Sequence, residues 1–177
     1  MGKLGFASLA VGLALAGAAR AEVVDATAGG FEVRETVEIG ASAQKVWRAL
    51  GHYGDWWSSK HTWSGDAKNV TLDLDPGGCL CEALPHGGSV QHMTVIFLAP
   101  EKRAILSGTL GPLMFSGASG HLIWTLAEKD GRTTLTQEYI VGGYIKGGLG
   151  ALAPDVDAVL GEEVRRLKAY VETGKAS

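Results

Sequence analysis

The chain has 177 residues, 46% hydrophobic and 20% charged, enough for one domain with a real core and too apolar for a disordered chain. The 16 basic and 19 acidic residues give a formal charge of −3, with no basic stripe of the kind a nucleic-acid binder carries. The 26 glycines show no three-residue period, which excludes a collagen-like chain, and no heptad pattern runs far.

Met1 to Ala21 reads as an address. Lys3 precedes an uncharged stretch from Leu4 to Ala19, and Ala19-Arg20-Ala21 has the small-x-small form of a cleavage site. The stretch is 16 residues long, short of the roughly 20 that span a bilayer. The reading is a cleavable signal peptide over 1–21, a mature chain beginning at Glu22, and a bacterial periplasmic or secreted destination without stable membrane insertion. Loss of Lys3 and Arg20 takes the formal charge from −3 to −5. Residues 22–29 read as a linker and 30–174 as the domain.

Within that domain, Phe31 to Ile39 alternates apolar and polar as a half-buried strand does. Ser42 is placed to cap a short helix through Val46, Trp47 and Leu50, and a second short helix or turn covers Tyr53 to Ser58. Val70 to Leu74 is the next strand, and Asp75-Pro76-Gly77-Gly78 is turn chemistry. Strands follow over Cys79–Leu84, Val90–Leu98 and Ala104–Leu110. Gly120–Glu128 then pairs with Thr133–Val141 across Asp130-Gly131, a type I′ hairpin signal. Asp155 to Thr173 is an amphipathic helix with Val156, Val159, Leu160, Val164, Leu167 and Val171 on one stripe and Gly174 at its end. Gly142 to Gly150 reads as a flexible link or gate into it.

About seven antiparallel strands, two short helices after the first strand and a long closing helix make an α+β design. The order resembles the SRPBCC superfamily (START-like, or birch-pollen-allergen-like), and within it the branch of polyketide cyclases and Hsp-ninety-ATPase-activator homologues. Ala43 to Leu50 after the first strand, Trp56-Trp57, the Gly77-Gly78 turn, the strand ending at Pro100 and the last helix with Leu167 and Tyr170 carry the resemblance. It implies a helix-grip fold: a curved sheet wrapping the long helix around a hydrophobic cavity, in members that bind lipids, sterols, polyketides or hormones, a minority being enzymes.

Hairpin registers suggest which side chains face that interior. Pairing Leu84 with Ser89 sets Glu82 opposite Gln91, Leu80 opposite Met93, and Cys81 opposite His92. Pairing Phe97 with Ala104 sets Val95 opposite Leu106. Across the Asp130-Gly131 turn, Trp124 meets Gln137, Leu122 meets Tyr139, and Leu126 meets Leu135. One face thus carries Leu80, Leu84, Met93, Val95, Phe97, Leu106, Leu122, Trp124, Leu126, Leu135 and Tyr139. Glu82, Gln91 and Gln137 interrupt it, and Glu35 interrupts the first strand in the same way. A buried carboxylate needs a partner, a ligand or water; a cavity supplies one, and strand ends open to solvent are the alternative. The expected ligand-binding set is Glu35, Trp57, Glu82, Gln91, Met93, Val95, Leu106, Trp124, Gln137, Tyr139 and Leu160.

Cys79 and Cys81 lie two apart on a strand, with Cα atoms expected about 6.5–7 Å apart at ordinary strand rise. A disulfide there needs distortion, so they read as ordinary small strand residues. A metal reading with His92 lacks a fourth ligand and the usual zinc spacing. No metal or cofactor is expected. The tryptophans at 47, 56, 57 and 63 read as packing, with Trp56 or Trp57 bordering a cavity mouth, and His52 and His61 read as exposed. No Walker, G-x-S-x-G or H-E-x-x-H pattern is present. The expected function is binding of a small hydrophobic molecule, as carrier or sensor. The alternatives are a cyclase-, dehydratase- or hydrolase-like enzyme using Glu82 or Glu35 as acid/base, and an interaction module, which export argues against.

Overall fold

A computed structural model describes residues 20–176. The leader read over 1–21 lies outside the described residues up to position 19. The strands are β1 (Arg20–Thr27), β2 (Gly30–Ile39), β3 (Val70–Leu72), β4 (Cys79–Ala83), β5 (Ser89–Ala99), β6 (Arg103–Gly108), β7 (Gly117–Lys129) and β8 (Arg132–Tyr144). The helices are α1 (Ala43–Gly51), α2 (Tyr53–Trp56) and α3 (Ala153–Thr173). The strands form a single antiparallel sheet in the order β1-β2-β8-β7-β6-β5-β4-β3. This is the helix-grip α+β fold, with eight strands where the sequence suggested about seven. The extra one is β1, the segment read as a linker. It lies at the sheet edge with both faces exposed, so it never shows the alternation that marks a half-buried strand.

Local chemistry places the other elements. Ser42 Oγ accepts from Lys45 N at 3.4 Å and starts α1. Asp130 and Gly131 both take positive φ, 53° and 73°, which matches the twist of the β7–β8 ribbon. Gly174 ends α3 in the left-handed region at φ 79°. The α3 stripe of Leu160, Val164, Leu167 and Val171 is buried and packs chiefly on β2. Phe31, Val33, Val37 and Ile39 alternate inward from β2. Burying side chains of this size contributes roughly 1.5–3 kcal/mol each.

Three β-bulges bend the sheet. They fall between Val23 and Asp25, between Leu80 and Cys81, and between Val95 and Phe97. The two in the β4–β5–β6 region correct the sequence registers. Leu80 still meets Met93, but Cys81 meets Gln91 and Glu82 meets Val90. Gln91 therefore faces solvent, where its Nε2 donates to Thr94 Oγ1 at 2.7 Å. The bulge beyond Val95 turns Phe97 outward as well, leaving it 47% exposed rather than on the core face.

The first of these bulges lies beside the two cysteines. Cys79 and Cys81 are disulfide-bonded, with Cα atoms 5.3 Å apart. A regular strand keeps such residues farther apart; here the two Cα atoms stand within disulfide range, where the ladder to β5 is irregular. The expectation of two ordinary strand residues is thereby corrected, and neither sulfur is free to hold a metal.

The glycine-rich link is anchored to the β1–β2 turn: Gly143 N donates to Gly29 O at 3.1 Å and Leu149 N to Ala28 O at 3.0 Å. Leu149 is fully buried.

Candidate functional site: an apolar cavity with a buried carboxylate–histidine pair

A cavity of about 450 Å³ opens between the end of the sheet, α2 and the start of α3. Its apolar wall comes from Tyr53 and Trp57 at α2, Val70 and Leu80 on β3 and β4, Leu110 and Leu113 in the β6–β7 connection, Ile145 after β8, and Val156, Val159 and Leu160 on α3. Lys60, Trp63, Pro112 and Asp155 line it too and are exposed, so they mark the mouth. Trp63 packs edge-on against Phe115 with ring centroids 5.4 Å apart, and Phe115 is 77% exposed.

Polar groups in the wall are few. Glu82 is buried, and its Oε2 stands 3.1 Å from His92 Nε2. Its other oxygen accepts from Ser64 N. Burial pushes this carboxyl up, but the bonds from Ser64, Trp63 and His92 outweigh it and hold the group below the ordinary glutamate range. An ionised Glu82 accepts, so His92 Nε2 carries the proton and donates it. The other ring nitrogen, Nδ1, is buried with no hydrogen-bond partner among the described residues. On the opposite wall, Leu110 N donates to Tyr139 Oη at 3.0 Å, and burial pushes that phenol up to about 12.

His61, expected to be exposed, is half-buried and lines the cavity. Its Nε2 lies 3.6 Å from Glu162 Oε2, and the adjoining Glu163 carboxylate is fully buried. The ligand atoms of His61, Glu162 and Glu163 all fall within 4.8 Å of one another. Both Glu163 oxygens accept from Ser58 N, at 3.1 and 3.0 Å, and Arg166 Nε stands 3.7 Å away. That cation opposes a metal there, and the arrangement serves to pin α3 to the segment after α2. Burial, opposed by Arg166, pushes Glu163 up to about 8.

Of the expected ligand-binding residues, the cavity gathers Trp57, Glu82, Tyr139 and Leu160. Met93, Val95, Leu106 and Trp124 are buried in the core without bordering it; Tyr53 of α2 packs against Trp124 with ring centroids 6.4 Å apart. Glu35 and Gln137 are also buried away from the cavity. Trp124 Nε1 donates to Gln137 Oε1 at 2.7 Å, and Gln137 Nε2 donates to Glu35 Oε2 at 3.3 Å. Gln91 lies outside altogether. The sequence reading missed His92, His61, Tyr53 and the 110–113 connection. His92 had a usable signal: Glu82 needs a buried partner, and His92 is the one cationisable side chain on the facing strand.

A single antiparallel sheet, a closing helix and an apolar cavity between them define a helix-grip protein. The family model described as "Polyketide cyclase / dehydrase and lipid transport" matches residues 30–172, and the chain belongs to that family. Among solved structures, a conserved protein of unknown function from Enterococcus faecalis, EF2215, is 19% identical with a TM-score of 0.61, over 90% of this chain and 80% of that one. CalU16 from Micromonospora echinospora is 15% identical with a TM-score of 0.60, over 91% and 88%. DynU16, from the dynemicin biosynthetic locus, is 23% identical with a TM-score of 0.57, over 82% of this chain and 48% of that one. At these identities the likeness is one of fold. No curated protein matches the chain.

Proposed function

We propose that the protein is exported and binds a small hydrophobic or amphipathic molecule in this cavity, as a carrier or sensor. The observation that carries the reading is the cavity itself: about 450 Å³, walled by aromatic and aliphatic side chains, with one buried carboxylate–histidine pair. Such a lining holds an apolar body by area and orients one polar head by hydrogen bonding. The leader pattern over residues 1–21 supports export. Native mass spectrometry of the purified protein tests the binding reading. A retained small molecule, lost on displacement by a hydrophobic probe, supports it; an interior that neither retains nor admits such molecules overturns it.

A second reading, a cyclase-, dehydratase- or hydrolase-like enzyme, is favoured by the Glu82–His92 pair. Glu35 drops out because it does not border the cavity. Glu82 is held ionised, which suits it to orient His92 as a general base rather than to act as an acid itself. Turnover of a screened ester or polyketide, abolished by His92→Ala, would distinguish catalysis from carriage.

A further inference from the structure

A second polar site lies away from the cavity, beneath the start of β1. Ala21 is the cross-strand partner of Glu35, and Glu22 the partner of Arg34. Cross-strand partners share a face, so Ala21 and Glu35 both point toward α3, while Glu22 and Arg34 point out. Helix α3 crosses close above: a Cβ at Gly161 would come within 3.3 Å of the Ala21 Cβ. Asp157 lies one turn earlier on the same face of α3.

Two carboxyl oxygens at this crossing are unmatched. Glu35 is 1% exposed, and its Oε1 has no hydrogen-bond partner among the described residues; Asp157 Oδ1 is buried and has none there either. The Glu22 main-chain N–H faces the Asp157 carboxylate, and the Asp157 charge acts on Glu35. Buried, unpaired carboxyl oxygens are costly and call for a cation or donor. Among the described residues no donor reaches either oxygen, although the Arg165 guanidinium lies close, with Nη1 3.4 Å from a Cβ placed at Gly161. Burial first, and Asp157 next among the groups that raise it, push Glu35 up to about 8 against the opposing Gln137 bond.

The expected signal cut falls at this junction, between Ala21 and Glu22. Cleavage would remove the Ala21 methyl from beside Glu35 and convert the Glu22 N–H into an ammonium.

We propose that Glu35 and Asp157 form a receiver for the α-ammonium of Glu22, so that removal of the leader completes an ion pair tying β1 to α3. The proposal rests on the export reading. It gives processing a structural consequence: before the cut the crossing holds two unmatched carboxyl oxygens, and after it a cation with two acceptors. The charged groups around the new amine are Glu35 on β2, Asp157 and Arg165 on α3, Glu22's own side chain and Arg34 opposite it.

The test uses three proteins released from a cleavable fusion: one beginning at Glu22, one beginning at Ala21, and the Glu22-start protein carrying Asp157→Asn. The terminal amine is reductively methylated with labelled formaldehyde and a borohydride reductant, which keeps its ability to carry a charge, and titrated by NMR. In the Glu22-start protein the amine should titrate at least about one unit above the ordinary α-amino range of roughly 7.7–8.0. It should return to that range in the Ala21-start and Asp157→Asn proteins, whose spectra show whether they fold. The Glu22-start protein should also melt about 2–4 °C above the Ala21-start protein. An amine at its ordinary value in the Glu22-start protein overturns the receiver and leaves export intact. Intact mass of the periplasmic protein settles the other half: a first residue other than Glu22 overturns the proposal together with the cut site.

Discussion

Leu160 and Leu167 lie two turns apart on the same stripe of α3, yet Leu160 borders the cavity and Leu167 does not, although both are at most 2% exposed. Truncation should separate them. Leu167→Ala leaves a void in packed core and should cost about 2–5 kcal/mol in urea unfolding. Leu160→Ala gives up contacts on one side only, so its loss should be smaller, and the enlarged cavity should admit bulkier apolar probes. Equal losses with unchanged probe binding would mean that the interior is filled.

Glu82→Gln keeps a hydrogen-bond acceptor and removes the charge that orients His92. A hydrogen bond to a charged group contributes roughly 1.5–3 kcal/mol. If a ligand's polar head sits here, affinity for the co-purifying molecule should therefore fall about tenfold or more, with a smaller change in melting temperature. His92→Ala should weaken binding similarly. Variants that melt earlier but bind unchanged would assign the pair to stability alone.

Glu82 and Glu163 should pull the pH dependence of stability in opposite directions. The folded value of Glu82 lies below its unfolded one, so its contribution is present above the unfolded value and is lost as pH falls through the folded one. Glu163 is raised from 4.5 to about 8. Between those values the unfolded chain has released a proton that the folded one keeps, so stability falls as pH rises, by at most about 1.4 kcal/mol per pH unit. Chemical denaturation of Glu163→Gln from pH 5 to 8 should show a flatter profile than the parent. An identical slope in both would place its proton equilibrium elsewhere.

Reducing the Cys79–Cys81 bond opens a ring closed by residues two apart in sequence, which constrains the unfolded chain little, by about 1.5 kcal/mol in the loop-entropy picture. Its larger effect should be local, because Leu80 and Glu82, beside the cysteines, both line the cavity. Mild reductant should change probe affinity more than global unfolding. A large drop in melting temperature with unchanged affinity would contradict this.

What the sequence disclosed follows from where periodicity survives. The β7–β8 register was legible because Asp130-Gly131 fixes a two-residue turn and no bulge follows: Leu126–Leu135, Trp124–Gln137 and Leu122–Tyr139 pair as expected. The closing helix was legible from its stripe. The β4–β5–β6 registers failed at Gln91 and Phe97 because each bulge inserts one residue without a compositional mark. More than a third of the cavity wall comes from two segments outside the strands and long helices, Lys60 to Trp63 and Leu110 to Leu113. No period-2 or period-3.6 pattern points at a pocket from there. The Cys79–Cys81 bond was missed because ordinary strand rise overstates the 5.3 Å that separates their Cα atoms.

The irregularity between Val23 and Asp25 has a bearing on how the molecule behaves among copies of itself. β1 is an outer strand, and Val23 and Val24 are 37% and 39% exposed on it. A straight, apolar rim of this kind is a template for strand addition and fibril growth. The extra residue kinks the rim and puts its free amides out of step, while Glu22 and Asp25 bracket the valines with negative charge. Both features work against edge-to-edge stacking in a concentrated, crowded solution at the one long edge strand among the described residues.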